Sequence, residues 1–265
     1  MLTRALKMAF WILYDHLGKL MAANFVWAVS IAIPGSVAAT AVFYGEPPIQ
    51  FWIGAPAAIG TIGIVLPVLS VGIAQLMKVL IDRKDGSLSD FLDGIRRYGW
   101  KASRLGLLYT GATVCFGTSV WFYATKLQAS VPFVGYLVSA VAFWCLAFVA
   151  LSAQFALPAL VQKREGVVAT LKLSALLVLD NPALTAGVAF QIAVLTVLTA
   201  PIWPLFFVIY GAAVMALVSS AYELMARKYA VAAARSDGSV ELPPRDEDDD
   251  YLNRGVRDVF FPWKG

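Results

Sequence analysis

Residues 51–77 read FWIGAPAAIGTIGIVLPVLSVGIAQLM, a stretch of mostly apolar and small residues without one charged side chain. Similar charge-free runs cover Leu105–Thr125 and Pro182–Tyr222. A soluble domain carries charge on the water-facing side of every helix, whereas about 18 or more apolar residues in a row are typical of a helix that crosses a bilayer. These runs therefore decide the fold class, which is that of a membrane protein.

The rest of the composition agrees with this assignment. The chain is 60% hydrophobic, and its 21 Lys and Arg and 17 Asp and Glu residues are confined to a few short segments. Apolar and polar residues do not alternate with a period of two, so a membrane β-barrel is not favoured. Because hydrocarbon offers no hydrogen-bond partners, each apolar run is expected to form a helix. The sequence predicts an all-α, polytopic transmembrane helical bundle with about six spans, at Leu17–Tyr44, Ile59–Ile81, Leu105–Thr125, Phe133–Val161, Pro182–Thr199 and Trp203–Met225.

Three parts follow one another along the chain. Residues 1–16 are predicted to form an N-terminal interfacial helix, because Leu6, Phe10, Leu13 and Leu17 recur at helical intervals. Residues 17–228 form the transmembrane domain. Residues 229–265 form an extramembrane tail, with an acidic run followed by aromatic residues.

The basic residues predict the orientation. If the N-terminus, the loops 82–104 and 162–181 and the tail share one side, about 20 of the 21 Lys and Arg residues lie on or next to that side, and the opposite side holds only Glu46 and Lys126. Loops rich in Lys and Arg stay in the cytoplasm, so both termini are predicted to be cytoplasmic. The net charge of +4 is then explained by contact with membrane lipids, and no nucleic-acid partner is expected.

A short repeat suggests an internal duplication. Arg83-Lys84-Asp85-Gly86 follows one span and Lys163-Arg164-Glu165-Gly166 follows another. After each comes an apolar-periodic helix, near 87–101 and near 166–179, which is predicted to lie at the interface. Two such parallel units are typical of membrane folds that arose by duplication.

Two segments are predicted to bind a partner. The helix at 87–101 carries charges of both signs, including Asp93, Arg96 and Arg97, and Asp93 is spaced to pair with Arg97. Its face is either merely solvated or a docking site for a partner or for anionic lipid. The tail either folds back onto the cytoplasmic face, inserts into a partner or stays loose at the interface. Its candidate anchors are Tyr251, Phe260, Phe261 and Trp263.

No catalytic site, metal site or cofactor is predicted. His16 is the only histidine, and no hydrolase, metalloprotease or phosphate-loop motif is present. Cys115 and Cys145 are predicted to be buried structural thiols. Asp180-Asn181-Pro182 is predicted to start a helix, with Asn181 as its N-cap. No acidic residue lies deep in a span, which argues against an ion pump.

Several motifs resemble those of the YesL-like bacterial membrane proteins. They are Asn24 with Trp27 and Pro34 in the first span, the stretch 95–101 with Trp121-Phe122-Tyr123, and Leu179-Asp180-Asn181-Pro182. The chain departs from that pattern at about 45–67, where extra residues add a span or half-span. The resemblance implies an all-helical protein of the bacterial inner membrane, sometimes encoded near carbohydrate uptake systems, and it supplies no catalytic residues.

Two functions are compatible with the sequence. The first is a non-enzymatic accessory or assembly subunit that associates with other membrane-protein subunits. The second is a transporter or permease-like component for a neutral or amphiphilic solute, such as a carbohydrate-related one. A polar cavity lined by Gln75, Gln154 or Gln191 would favour transport, and a dry, fully packed bundle would favour association.

Overall fold

A computed structural model describes residues 1–127, 131–163, 166–236, 250–254 and 258. These residues form an all-α bundle, with no strand in the described ranges and six helices long and apolar enough to cross a membrane. The helices are α1 (Leu2–Asp15), α2 (Leu17–Tyr44), α3 (Pro47–Arg83), α4 (Leu88–Leu127), α5 (Pro132–Lys163), α6 (Val167–Asp180), α7 (Pro182–Thr199), α8 (Phe206–Ala233) and the single turn α9 (Asp250–Asn253). The predicted polytopic helical bundle is therefore confirmed.

Residues 47–67 belong to one long helix and do not form a separate span, and Gly45 and Glu46 connect that helix to α2. Helix α3 runs for 37 residues, although Pro56 and Pro67 interrupt its sequence. Proline lacks an N–H and its ring clashes with the carbonyl four residues earlier. One π-helical turn, Gln50–Gly54, ends just before Pro56, and another, Thr61–Val65, ends just before Pro67. These wider turns accommodate the prolines without ending the helix.

The two predicted repeat units differ in the structure. The segment 87–101 is not a separate helix, because α4 continues through it without a break into the following span. In the second unit the chain breaks at Asn181, where φ is −129° and ψ is 59°, and α7 begins at Pro182. Asn181 occupies the N-cap position and Pro182 the first helical position, as predicted, although the Asn181 side chain makes no capping hydrogen bond. Its side chain instead donates to the Tyr229 hydroxyl at 2.7 Å.

Helix α1 packs against the protein with a face that the sequence did not single out. Its buried side chains are Ala5, Met8, Ala9, Trp11 and Ile12, and they join the same apolar cluster as Val218, Tyr222 and Met225 of α8. Of the four residues that predicted an apolar face, Leu6, Phe10 and Leu17 are exposed, whereas Leu13 is half-buried against the same cluster. Helix α1 is therefore apolar on two sides, one against the bundle and one available to lipid.

Glycines allow α3 and α4 to approach closely. A Cβ atom added to Gly106 would lie 2.3 Å from Pro67 Cγ and 2.4 Å from the carbonyl oxygen of Gly63. One added to Gly94 would lie 2.6 Å from Gln75 Cβ. Small residues at such contacts are the usual means by which membrane helices pack, since close backbones gain van der Waals contact.

Candidate functional site

The described part of the bundle holds a cavity of about 640 Å³ to which all six spans contribute. This volume lies within the range of about 300–1,000 Å³ that is typical of small-molecule sites. Each span supplies at least one lining residue, for example Trp27, Ser70, Thr113, Gln154, Ile192 and Tyr210. We call this space the central cavity. Its walls are mainly apolar, and the described lining includes no charged side chain.

Most polar groups in the walls already have protein partners. The Trp27 indole N–H donates to the Ser70 hydroxyl at 2.9 Å, and the Tyr109 and Ser174 hydroxyls are 2.9 Å apart. Gln154 donates from Nε2 to the carbonyl of Thr185 at 3.2 Å, while its buried Oε1 has no partner within the described structure. The cavity thus offers few free polar groups.

The central cavity is partly open, and its rim includes residues of lipid-crossing helices that are themselves exposed. Ile62 of α3 is 54% exposed and Val114 of α4 is 51% exposed. An exposed side chain on a span faces lipid or a cavity, because no water surrounds that part of the protein. Part of the cavity rim therefore lies at the outer surface of the spans.

The Asn24 and Trp27 pair, singled out in the sequence, holds the cavity wall together. Asn24 is fully buried, and its Nδ2 donates to the carbonyls of Phe206 and Phe207 at 2.9 and 2.8 Å. Its Oδ1 accepts the backbone N–H of Ala212 at 3.0 Å. These bonds satisfy backbone groups around the π-helical turn Phe206–Tyr210 at the start of α8. In lipid such groups have no other partner, so Asn24 fixes this irregular wall.

A second site lies where the tail meets α1 and α3. Tyr251 is 2% exposed, its hydroxyl lies 3.2 Å from His16 Nε2, and it donates to the carbonyl of Leu80 at 3.4 Å. The ammonium of Lys84 sits 3.5 Å from the centre of the Tyr251 ring, a cation–π contact. We call this arrangement the tail dock.

Two further contacts fasten the tail dock. Lys7 donates to the carbonyl of Leu252, and Arg254 forms an ion pair with Asp15 while its guanidinium lies 5.2 Å from the Trp11 ring centre. Of the predicted anchors, Tyr251 is thus held by its own chain, whereas Phe260, Phe261 and Trp263 lie outside the described residues.

The electrostatics of the dock depend on burial and on close ion pairs. Burial lowers the pKa of His16 below its ordinary value of 6.5, and the nearby carboxylate of Asp15 opposes that shift. Beside it, a hydrogen bond from Lys19, at 2.8 Å, lowers the pKa of Asp85. A hydrogen bond that Tyr229 donates likewise lowers the pKa of Asp180. His16 is therefore favoured as the neutral imidazole in the docked state.

The predicted partner-binding residues of α4 lie on one exposed face. Asp93, Arg96 and Arg97 are all exposed, and Trp100, at 71% exposure, continues that face. The predicted pair between Asp93 and Arg97 does not form in the described structure. Arg97 instead lies 5.6 Å from the ring centre of its neighbour Tyr98. Nothing in the described residues covers this mixed-charge face.

The sequence left a cavity open as one alternative, but it did not indicate the position of the central cavity or its mainly apolar walls. Gln154 was recognised as an interior polar residue, but Gln75 and Gln191 do not line the cavity. The prediction that both cysteines are buried is wrong, since Cys115 is exposed and Cys145 is half-buried. Among the described residues there is no group of three His, Cys, Asp or Glu side chains that could hold a metal ion.

Comparison with known proteins does not add a family. Neither protein-family models, nor curated proteins, nor solved structures gave a match to this chain. Three features of the structure bear on function, namely the central cavity, the tail dock and the exposed face of α4.

Proposed function

We propose that this integral membrane protein binds a neutral or amphiphilic solute in the central cavity, as a non-enzymatic transporter or permease-like component. The supporting observation is a partly open, mainly apolar space of about 640 Å³ in a bundle whose six spans all contribute walls. Unfilled apolar space forfeits dispersion contacts with neighbouring atoms, so a cavity of this size is costly unless something occupies it.

The route from the bilayer supports the same function. The exposed rim at Ile62 and Val114 allows an amphiphile to enter sideways without crossing water. The groups that order the wall, Asn24 and Trp27, are satisfied by the protein itself, so the cavity is held in shape before the solute arrives. Preorganised sites bind more tightly because less order is lost on binding.

Filling the cavity tests this proposal. Val214→Trp places a large ring in the lining, and Val197→Trp places the same ring on α7 at a side chain that is 71% exposed. Each variant is purified in mild detergent, and co-purifying small molecules are identified by native mass spectrometry. Val214→Trp is expected to lose at least about tenfold of a molecule that wild type and Val197→Trp retain. Equal retention by all three proteins would contradict the proposal.

A second function, that of an accessory or assembly subunit, has its own supporting observation. The face of α4 that carries Asp93, Arg96, Arg97 and Trp100 is exposed, and aromatic and Arg residues are enriched where proteins bind one another. Reversing charge with Arg96→Glu and Arg97→Glu is expected to remove a co-purifying membrane protein without changing thermal stability. Lys172→Glu, on the exposed face of α6, is the matched control.

We infer further that the protein lies in a bacterial inner membrane with both termini in the cytoplasm, which is the setting that its resemblance to the YesL-like proteins implies. The support is the basic bias of the loops and the tail dock, which joins α1 and α9 at one end of the bundle. Cysteines introduced at Lys126 and at Lys19, in a background free of Cys115 and Cys145, test the orientation. A membrane-impermeant thiol reagent added to intact cells should label only the first.

A further inference from the structure

We infer that the ligand of the central cavity is an uncharged, predominantly apolar molecule that carries a hydroxyl group, such as a long-chain alcohol or a neutral glyceride. This inference depends on the proposed function, because it assigns the chemical class of the solute that the cavity receives. The inferred ligand class excludes charged phospholipids, plain hydrocarbons and free sugars.

The absence of charge in the walls decides against a charged ligand. The described lining contains no Lys, Arg, Asp or Glu that could pair with a phosphate or an ammonium group. An unpaired charge moved from water into an apolar site costs several kcal/mol or more, even after relaxation. A free sugar is disfavoured too, since its many hydroxyls need more partners than the few polar groups here provide.

Two threonines on α4, together with the unpartnered Oε1 of Gln154, are groups that could recognise a hydroxyl. Thr110 and Thr113 lie one turn apart, both line the cavity, and neither side chain makes an intramolecular hydrogen bond in the described structure. On the same helix, Thr118 and Thr125 each donate to the carbonyl four residues earlier, at 2.8 and 2.7 Å. The back-bonding that satisfies those two hydroxyls is absent where α4 meets the cavity.

Free hydroxyls in an apolar wall favour a ligand that can pair with them. A threonine hydroxyl both donates and accepts, so it can satisfy a ligand hydroxyl in either direction. Ser70, on the neighbouring α3, already accepts from Trp27 and still has a proton to donate. The apolar remainder of the lining, which includes Leu66, Leu157 and Val214, suits a hydrocarbon chain.

Three photoreactive probes of equal chain length test the inference. A sixteen-carbon alcohol, the corresponding alkane and the corresponding alkyl sulfate, each with a diazirine at the same carbon, are added to the full chain in phosphatidylcholine vesicles. Labelled residues are located by mass spectrometry as the probe concentration rises. We expect the alcohol to label the cavity walls saturably, and the sulfate and the alkane to need at least about tenfold more probe.

Matched variants assign the effect to the threonines. Thr110→Val with Thr113→Val keeps the side-chain shape and removes both hydroxyls. It should weaken labelling by the alcohol by about tenfold or more, since each lost hydrogen bond to a neutral partner changes affinity about fivefold. Thr118→Val, whose hydroxyl is internally bonded, should label like wild type. Thermal melting in detergent shows whether the double variant is folded. If it is not, the single variant Thr113→Val is tested in its place.

The outcomes separate the two proposals. If the sulfate labels as well as the alcohol, if free glucose displaces the alcohol, or if the double valine variant binds the alcohol normally, the inferred ligand class is overturned. The cavity proposal survives those results, provided that Val214→Trp still abolishes labelling. If no probe labels the walls saturably in the wild-type protein, the cavity proposal fails together with this inference.

Discussion

At the tail dock, Tyr251 is 2% exposed and contacts His16, Leu80 and Lys84. In the central cavity, by contrast, Thr113 and Val114 border a space of about 640 Å³ that all six spans share. In the tail dock, the Tyr251 hydroxyl and the Tyr251 ring both have polar partners. The central cavity leaves threonine hydroxyls and apolar walls without partners. The difference separates a closely packed contact of the chain with itself from the space in which we propose that a ligand binds.

The largest effect is expected where the cavity wall depends on close backbone contact. In Gly106→Val the new Cβ would meet Pro67 and the Gly63 carbonyl at 2.3 and 2.4 Å, so α3 and α4 must separate. We expect a loss of more than about 3 kcal/mol in the free energy of unfolding. Gly111→Val, on the same helix with no atom within 4 Å of its added Cβ, is the control. Thermal melting in detergent measures both, and equal melting temperatures would contradict the packing argument.

The tail dock provides the next comparison. Tyr251→Ala removes a buried ring that contacts His16, Lys84 and Leu80, and burial of an aromatic side chain is worth about 3 kcal/mol. We expect the tail to leave the bundle while the spans stay folded, measured as faster hydrogen exchange in α9 and α1. Tyr251→Phe keeps the ring and should retain most of the docking. A tail that stays protected in Tyr251→Ala would show that the ring does not hold the dock.

A somewhat smaller effect is expected at Asn24, which lies between the two regions. Asn24→Ala leaves the carbonyls of Phe206 and Phe207 and the N–H of Ala212 without their partner. Membrane hydrogen bonds contribute about 0.6 kcal/mol each, so the free energy of unfolding should fall by about 2 kcal/mol. Asn181→Ala is the comparison, since its side-chain bonds lie at a half-exposed helix end. If both variants melt alike, Asn24 does not fix the wall of α8.

The smallest expected effect is a pH dependence confined to the dock. Because the pKa of docked His16 lies below 6.5, its contribution to docking is fully present above pH 6.5 and is lost as the pH falls from 6.5 towards that lower pKa. The other titratable groups that face the same imidazole are Asp15, Lys19, Lys84 and Asp85.

Hydrogen exchange of α9 at pH 7.5 and pH 5.5 measures this dependence. The wild-type tail should be less protected at the lower pH, after correction for the intrinsic exchange rate. His16→Gln does not titrate and should show the same protection at both values. Ligand binding in the central cavity should not change between them, because its described lining holds no titrating carboxylate or imidazole. A wild-type tail equally protected at both pH values would count against the role of His16.

Hydropathy was sufficient to predict the spans, because lipid requires long uncharged helices and Pro182, Gly166 and the basic turns separate them. It misplaced the start of α3, since prolines such as Pro56 normally predict a break and the π-helical turns that accommodate them leave no signal in the sequence. The continuous α4 was missed because its charged face at Arg96 and Arg97 resembles a helix lying on the membrane surface.

The candidate site was much less predictable than the fold. The cavity depends on how six helices pack together, which the sequence does not show directly. Thr110 and Thr113 look like other threonines of a span, and only the structure shows that their hydroxyls do not bond to a carbonyl of the preceding turn. The exposed and buried sides of α1 are both apolar, so periodicity alone could not tell Leu6 and Phe10 from Met8 and Ile12. Tyr251 was correctly suspected of wanting burial, but the place of that burial depends on contacts more than 160 residues away, such as the carbonyl of Leu80, 171 residues earlier.

The partners of α1 also set an order of events during synthesis. Lys7 leaves the ribosome 245 residues before Leu252, to which it bonds. At about 5–20 residues per second, the side of α1 that holds Met8 and Ile12 waits roughly 10–50 s for α8 and the tail to be made. During that interval α1 can stay bound at the bilayer surface through its other apolar side, which carries Leu6 and Phe10.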